Sequence, residues 1–139
     1  HTRGVAAMSG TFGYELNPAL LNAKEKAEIR AQLAQYREYQ ELIREGDYYR
    51  LSNPFQDNFA AWMVVSDDRS QALVSVIRLT AEANPPAAYV TLKGMEEEAF
   101  YREKTTGKVY PGAALMEAGI LLPAAVSEYE AYQIELERV

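Results

Sequence analysis

Residues Asn22 to Glu45 carry one long helical pattern, and nothing after Gly46 repeats it. Asn22 is a capping residue and Glu25 follows three positions later, a variant of the capping box. Glu25 and Glu28 stand near the end where the helix dipole favours negative charge. Ile29, Leu33, Tyr36 and Ile43 fall close to one stripe, with Leu42 beside it. Glu41 and Glu45, with Arg37 and Arg44, make a charged outer face. Gly46 stands where a helix stops. One amphipathic helix of this length cannot bury its stripe alone. The chain must therefore supply a sheet or further helices to receive it.

The residues after Gly46 read as that sheet. Tyr48-Tyr49-Arg50-Leu51 is a short strand closed by Ser52-Asn53-Pro54. Phe59 to Ser66 is the strongest strand, Asp67-Asp68-Arg69-Ser70 is a turn, and Gln71 to Thr80 alternates in period two. These two strands form a hairpin. Asn84-Pro85-Pro86 breaks the chain, and Ala88 to Leu92 is a strand ending at Gly94. Phe100 to Glu103 and Lys108 to Tyr110 flank the turn Thr105-Thr106-Gly107. Ala113 to Ala118 forms a helical turn stopped at Gly119. Glu128 to Val139 closes with alternation through Tyr132, Ile134 and Leu136. Short strands at regular spacing predict an antiparallel β-sandwich over residues 47–139.

Before the helix, Val5-Ala6-Ala7-Met8 is a continuous apolar run bounded by Ser9-Gly10 and Gly13. Such a run suits a strand buried on both faces of a parallel sheet. Residues 1–46 therefore read as an α/β piece, strand 5–8 followed by helix 22–45. His1-Thr2-Arg3-Gly4 has neither an initiator Met nor the form of a leader, so the expectation is a fragment of a longer protein.

Composition removes several classes of function. The formal charge is -6, which leaves no basic footprint for a nucleic acid. No apolar run approaches the ~20 residues that a membrane-spanning helix requires. With no cysteine and one histidine, thiol nucleophiles, disulfides and cysteine-based zinc sites are excluded. Metal ligands and cofactor-binding residues are expected to be none. Gly10-Thr11-Phe12-Gly13 is neither a dinucleotide fingerprint nor a phosphate loop. Ser9 has Ala7 where a nucleophile elbow needs glycine. His1 is a solvated end, since a triad histidine needs a third group to hold it.

Carboxylates are the remaining candidates, because an acid and a nucleophile or base of this type cleave glycosidic bonds. Asp67 and Asp68 have a backbone reason to sit in a turn. Asp57 is in a loop, Asp47 follows the helix stop, and Glu96-Glu97-Glu98 is a solvated run. Glu15 follows the apolar run and the glycines, where it orients the approach to the helix. Ten tyrosines, four phenylalanines and one tryptophan are either core filling or a surface for stacking sugars. Trp62, in mid-strand, reads as core.

The segment Val5-Ala6-Ala7-Met8-Ser9-Gly10-Thr11-Phe12-Gly13-Tyr14-Glu15-Leu16-Asn17 resembles the late-barrel segment of bacterial α-galactosidases of glycoside hydrolase family 36. The helix Lys24 to Arg44 is similar to the barrel helix that follows it. Gly46 to Leu51, Pro54-Phe55, Ala60-Ala61-Trp62-Met63 and Val65-Ser66 match the family's passage into its C-terminal domain. Asn84-Pro85-Pro86, Leu92-Lys93-Gly94, and Tyr110 with Met116-Glu117-Ala118-Gly119 extend the likeness over nearly the whole chain. Phe-Gly-Tyr-Glu-Leu and Ala-Ala-Trp-Met are its specific parts.

The resemblance implies the end of a (β/α)8 barrel joined to a C-terminal β domain, in a retaining enzyme that releases terminal α-galactose from raffinose- and melibiose-type sugars. It implies two catalytic Asp residues, one after a Lys-Trp pair and one in a Ser-Asp-Asn-type stretch. Neither context occurs here, so the catalytic residues are expected upstream of His1 and the chain by itself is expected to be structural. Met8, Ser9 and Gly10 are expected near the substrate, because barrel enzymes place their sites where strands end. The implied partners are an α-galactoside oligosaccharide, the remainder of the barrel and further copies in a homo-oligomer, in a bacterial cytoplasm. The competing reading is a β-sandwich module that binds carbohydrate or protein through exposed aromatics.

Overall fold

The computed structural model describes residues 1–124 and 126–139. Helix α1 spans Thr2–Ala7, and a single 3-10 turn covers Pro18–Leu20. Helix α2 spans Ala23–Glu45. Strands β1 (Asp47–Arg50), β2 (Phe59–Val65), β3 (Gln71–Arg78), β4 (Tyr89–Val90), β5 (Phe100–Glu103) and β6 (Val109–Pro111) follow. Helix α3 (Gly112–Glu117), β7 (Ile120–Leu121) and β8 (Ala131–Arg138) complete the chain.

The main body is a six-stranded antiparallel sheet in the order β1-β2-β3-β8-β5-β6. The β2–β3 hairpin read from the sequence pairs Phe59 with Arg78 and Val65 with Ala72. The last strand, β8, inserts between β3 and β5. Period-two alternation splits β2 between two faces. Ala61, Met63 and Val65 join Ala72, Val74, Val76, Ile134, Leu136 and Tyr101 in the main core. A two-stranded ribbon of β4 and β7, together with α3, closes that face. Its Val90, Leu92, Leu115, Ile120 and Leu122 are each at most 3% exposed. The sandwich is therefore uneven, six strands against a short ribbon and a helix.

Helix α2 lies on the opposite face. The capping box is formed: Asn22 Oδ1 accepts from the Glu25 amide at 3.0 Å and Glu25 Oε2 accepts from the Asn22 amide at 2.9 Å. Tyr39 and Leu42 bury against Val64 and Leu73, with Ile43 alongside. The buried face is thus turned from the expected stripe. Gln32, Tyr39 and Leu42 are buried, whereas Ile29, Leu33 and Tyr36 are half-buried. On the buried face Gln35 Nε2 and the Tyr39 hydroxyl both donate to the Glu135 carboxylate, at 2.9 and 2.8 Å.

Two expectations are corrected. The strand expected at 5–8 is the second half of helix α1. Val5 and Met8, three residues apart, are each 2% exposed, while Ala6 and Ala7 face solvent. That is a helical burial pattern. Its backbone groups are satisfied within the helix, Met8 N–H donating to the Gly4 carbonyl at 3.0 Å, and the helix packs on β3 and β8. The α/β piece of residues 1–46 is in this chain helical, with Gly10 to Leu16 running without regular structure. Trp62 lies outside the core. It projects from the α2 side of β2 and is half-buried, because the parity that puts Ala61 and Met63 inward turns Trp62 outward.

Candidate functional site

The segment between α1 and α2 folds back over the start of α2 and forms a groove. Helix α1 lies beside α2, with Gly4 against Gln32; a Cβ on Gly4 would stand 2.6 Å from Gln32 Cδ. The Phe12 ring packs on Tyr14 edge-on at 5.2 Å between centroids and on Tyr36 of α2 at 5.1 Å. The resulting cavity, about 470 Å³, is lined by Phe12, Tyr14, Glu15, Glu28, Ile29 and Gln32 among others.

A polar chain runs along its floor. The Tyr14 hydroxyl donates to Gln32 Oε1. Gln32 Nε2 donates to Glu28 Oε1 at 3.2 Å, and the same oxygen lies 2.8 Å from the amino group of His1. That ammonium holds the Glu28 carboxyl below the usual carboxylate range, first through the hydrogen bond and then through its charge. Burial pushes the Tyr14 hydroxyl up, and the negative Glu28 adds to the shift. Among the described residues no three His, Asp or Glu side chains cluster as metal ligands.

The expected site residues fall at the edge of this groove. Met8 is buried and ends α1. Ser9 is exposed, and its hydroxyl donates to the Ala6 carbonyl at 2.7 Å. Gly10 is exposed with open space around its Cβ position. The structure brings none of the three into the cavity wall. Tyr14, Glu28 and Gln32 do line it, and the sequence reading did not single them out. Glu28 and Gln32 share a helix face at i and i+4, a spacing visible in the sequence. Nothing local signalled that Tyr14 would reach across to them. Glu15, the carboxylate noted from the sequence, is exposed on the groove's rim.

Asp68 keeps the structural role expected of a turn residue. Asp68 Oδ1 accepts from the Ser66 hydroxyl, the Ser70 hydroxyl and the Ser70 amide at 2.6 to 2.9 Å. These bonds, led by the Ser70 hydroxyl, lower its carboxyl to about 2. Exposed aromatics are Tyr14 in the groove, Tyr48 on β1, Phe55 in a loop, Tyr89 on β4, Phe100 on β5 and Tyr129 before β8. Among the described residues the ring pairs are Phe12–Tyr14 and Phe12–Tyr36, both at the groove. No helix among the described residues is long and apolar enough to cross a membrane.

Comparison with known proteins bears on both parts of the chain. Residues 59–136 match the model of the glycosyl hydrolase family 36 C-terminal domain, and residues 1–46 match the Melibiase model. The chain is 59% identical, over 96% of its own length and 14% of the relative's, to the bifunctional alpha-galactosidase/sucrose kinase AgaSK of Mediterraneibacter gnavus. It is 45% identical to alpha-galactosidase AgaA of Geobacillus stearothermophilus, over 99% of its length and 19% of that protein. The solved galactosidase domain of AgaSK superposes with a TM-score of 0.96 at 56% identity, covering 99% of this chain and 19% of that one. A variant of AgaA crystallised in complex with raffinose superposes with a TM-score of 0.94 at 44% identity, with the same coverage. The chain thus spans less than a fifth of the length of these curated relatives.

Proposed function

Because this chain belongs to the glycosyl hydrolase family 36 C-terminal domain family, we propose that it is the C-terminal portion of a retaining α-galactosidase acting on raffinose-type oligosaccharides. Residues 1–46 contribute the end of the catalytic barrel and residues 47–139 the β domain that buttresses it. The observation that carries this reading is the likeness to α-galactosidases over 99% of the chain, through helix α2 and the sheet alike. Solved relatives of the same likeness hold raffinose and stachyose.

In this reading the remainder of the barrel packs where α1 and α2 are left open. Ile29, Leu33 and Tyr36 are half-buried, and Leu16 and Leu20 are 42% and 82% exposed. Apolar surface of this extent, adjoining one groove, marks a face that another part of a protein covers. The catalytic Asp pair belongs to that remainder. A retaining pair stands ~5 Å apart across the scissile bond, and no Asp here has the sequence context of either member. Met8, Ser9 and Gly10 serve as the turn below the substrate, with Gly10 leaving room for close approach.

The test is an assay of the 139-residue chain and of the longer protein with a chromogenic α-galactoside. The longer protein turns over and the chain does not. Turnover by the chain that is lost on mutating one of its own Asp or Glu residues would overturn the reading. In the longer protein, Gly10→Val lowers turnover per folded molecule while leaving the melting temperature nearly unchanged.

A further inference from the structure

Arg78 ends β3 on the core side, two residues beyond Val76 and paired across the hairpin with Phe59. It is 6% exposed. Its guanidinium lies 5.8 Å from the centroid of the Phe59 ring. Among the described residues no carboxylate oxygen lies within 4.0 Å of it. Its Nε is buried without a hydrogen-bond partner, as is the nearby Tyr132 hydroxyl. The Tyr132 hydroxyl and the Phe59 ring face the guanidinium, but its buried Nε–H finds no acceptor, and a buried donor left unsatisfied is costly.

The same side chain lines a second cavity, about 160 Å³, at the end of β3. Phe59, Pro85, Pro86 and Ala88 form its apolar walls. Asn58 belongs to the wall but is fully engaged. Its Oδ1 accepts from the Thr80 amide and hydroxyl, and its Nδ2 donates to the Thr80 carbonyl and to Glu82 Oε1. That bracing holds the rim and leaves the Arg78 Nε–H as an uncommitted donor beside the cavity.

We propose that this cavity binds a small carboxylate, with the Arg78 guanidinium receiving its oxygens and the Phe59–Pro85–Pro86 wall receiving a short alkyl body. The planar fork of arginine matches a carboxylate in a bidentate manner. The volume admits only a few heavy atoms, and Glu82 at the rim disfavours a doubly charged anion such as phosphate. The site is separate from the galactoside chemistry proposed above and does not depend on it.

The Arg78 Nε–H proton of the 139-residue chain reports on this directly by NMR. Propionate is titrated in at constant ionic strength, with propionamide and inorganic phosphate as controls. Propionate should shift the Arg78 Nε–H signal saturably, and propionamide and phosphate should leave it in place. Glu82→Gln, on the exposed rim, removes a competing charge and should tighten propionate binding about two- to fivefold. Arg78→Met should abolish the saturable shifts of the Phe59 ring if it folds; if it does not, the Glu82→Gln titration decides. Propionate acting no differently from propionamide, or with an affinity unchanged by Glu82→Gln, would overturn the proposal.

Discussion

The Tyr39 hydroxyl donates to Glu135 Oε2 at 2.8 Å and so pins helix α2 to the last strand of the chain, 96 residues away. Lys104 Nζ completes the link, 3.0 Å from the Tyr39 oxygen and 2.5 Å from Glu38 Oε1. The helix face that turns to the sheet is the face that can make these bonds.

Tyr39→Phe keeps the packing against Val64 and Leu73 and deletes the bond to the Glu135 carboxylate together with the one received from Lys104. It should cost about 1–2 kcal/mol by urea denaturation, and less when Glu135 is already replaced by Gln. Equal costs in both backgrounds would mean that the pair is not coupled.

The alkaline limb of stability should report the same residue. Burial foremost pushes Tyr39 up to about 12 from 10.0, against the opposing Lys104. A group whose pKa is raised on folding contributes below its unfolded value and loses that contribution as pH climbs through the folded one. The melting temperature should therefore fall between pH ~10 and ~12, and Tyr39→Phe should make the fall shallower. Tyr132, pushed by burial to about 12, contributes to the same limb.

Tyr132→Phe should stabilise the chain at neutral pH by about 1 kcal/mol. Its hydroxyl is buried without a hydrogen-bond partner, so removal returns a desolvation cost and forfeits only its attraction to the Arg78 cation. A destabilisation above that size would reveal a partner for the hydroxyl in solution.

Trp62→Ala should cost about 2 kcal/mol and Met63→Ala more. Met63 is 0% exposed within the main core, while Trp62 is half-buried on the opposite face and leaves part of its area in water in either case. A larger loss for Trp62 would place the dominant core on the helix side of the sheet.

Gly112→Ala should cost about 3 kcal/mol. A Cβ there would stand 1.9 Å from the Glu96 carbonyl oxygen, a backbone atom that a rotamer change cannot move. Gly10→Ala, with open space around it, should leave the stability of this chain within ~0.5 kcal/mol. Similar losses at the two positions would contradict the packing of α3 against the segment before β5.

Local pattern was sufficient for helix α2 with its Asn22–Glu25 cap, the β2–β3 hairpin, and β5 from Phe100 to Glu103. In each, one short window contains its own period, cap or turn residues, and the energetics are settled within it. The resemblance likewise lay in contiguous words of sequence such as Phe-Gly-Tyr-Glu-Leu. What a window cannot contain is the partner. Val5 to Met8 is equally apolar as strand or helix, and the packing of one face on β3 and β8 decided for helix. Trp62 and Met63 are adjacent, and only the pairing of β2 with β3 and the coverage of each face decided which was core. Tyr39 of α2 is anchored by Glu135, a residue 96 positions away. The groove and the unpaired guanidinium of Arg78 arise from segments meeting in space, where hydrogen bonding and burial between distant residues, not local pattern, set the outcome.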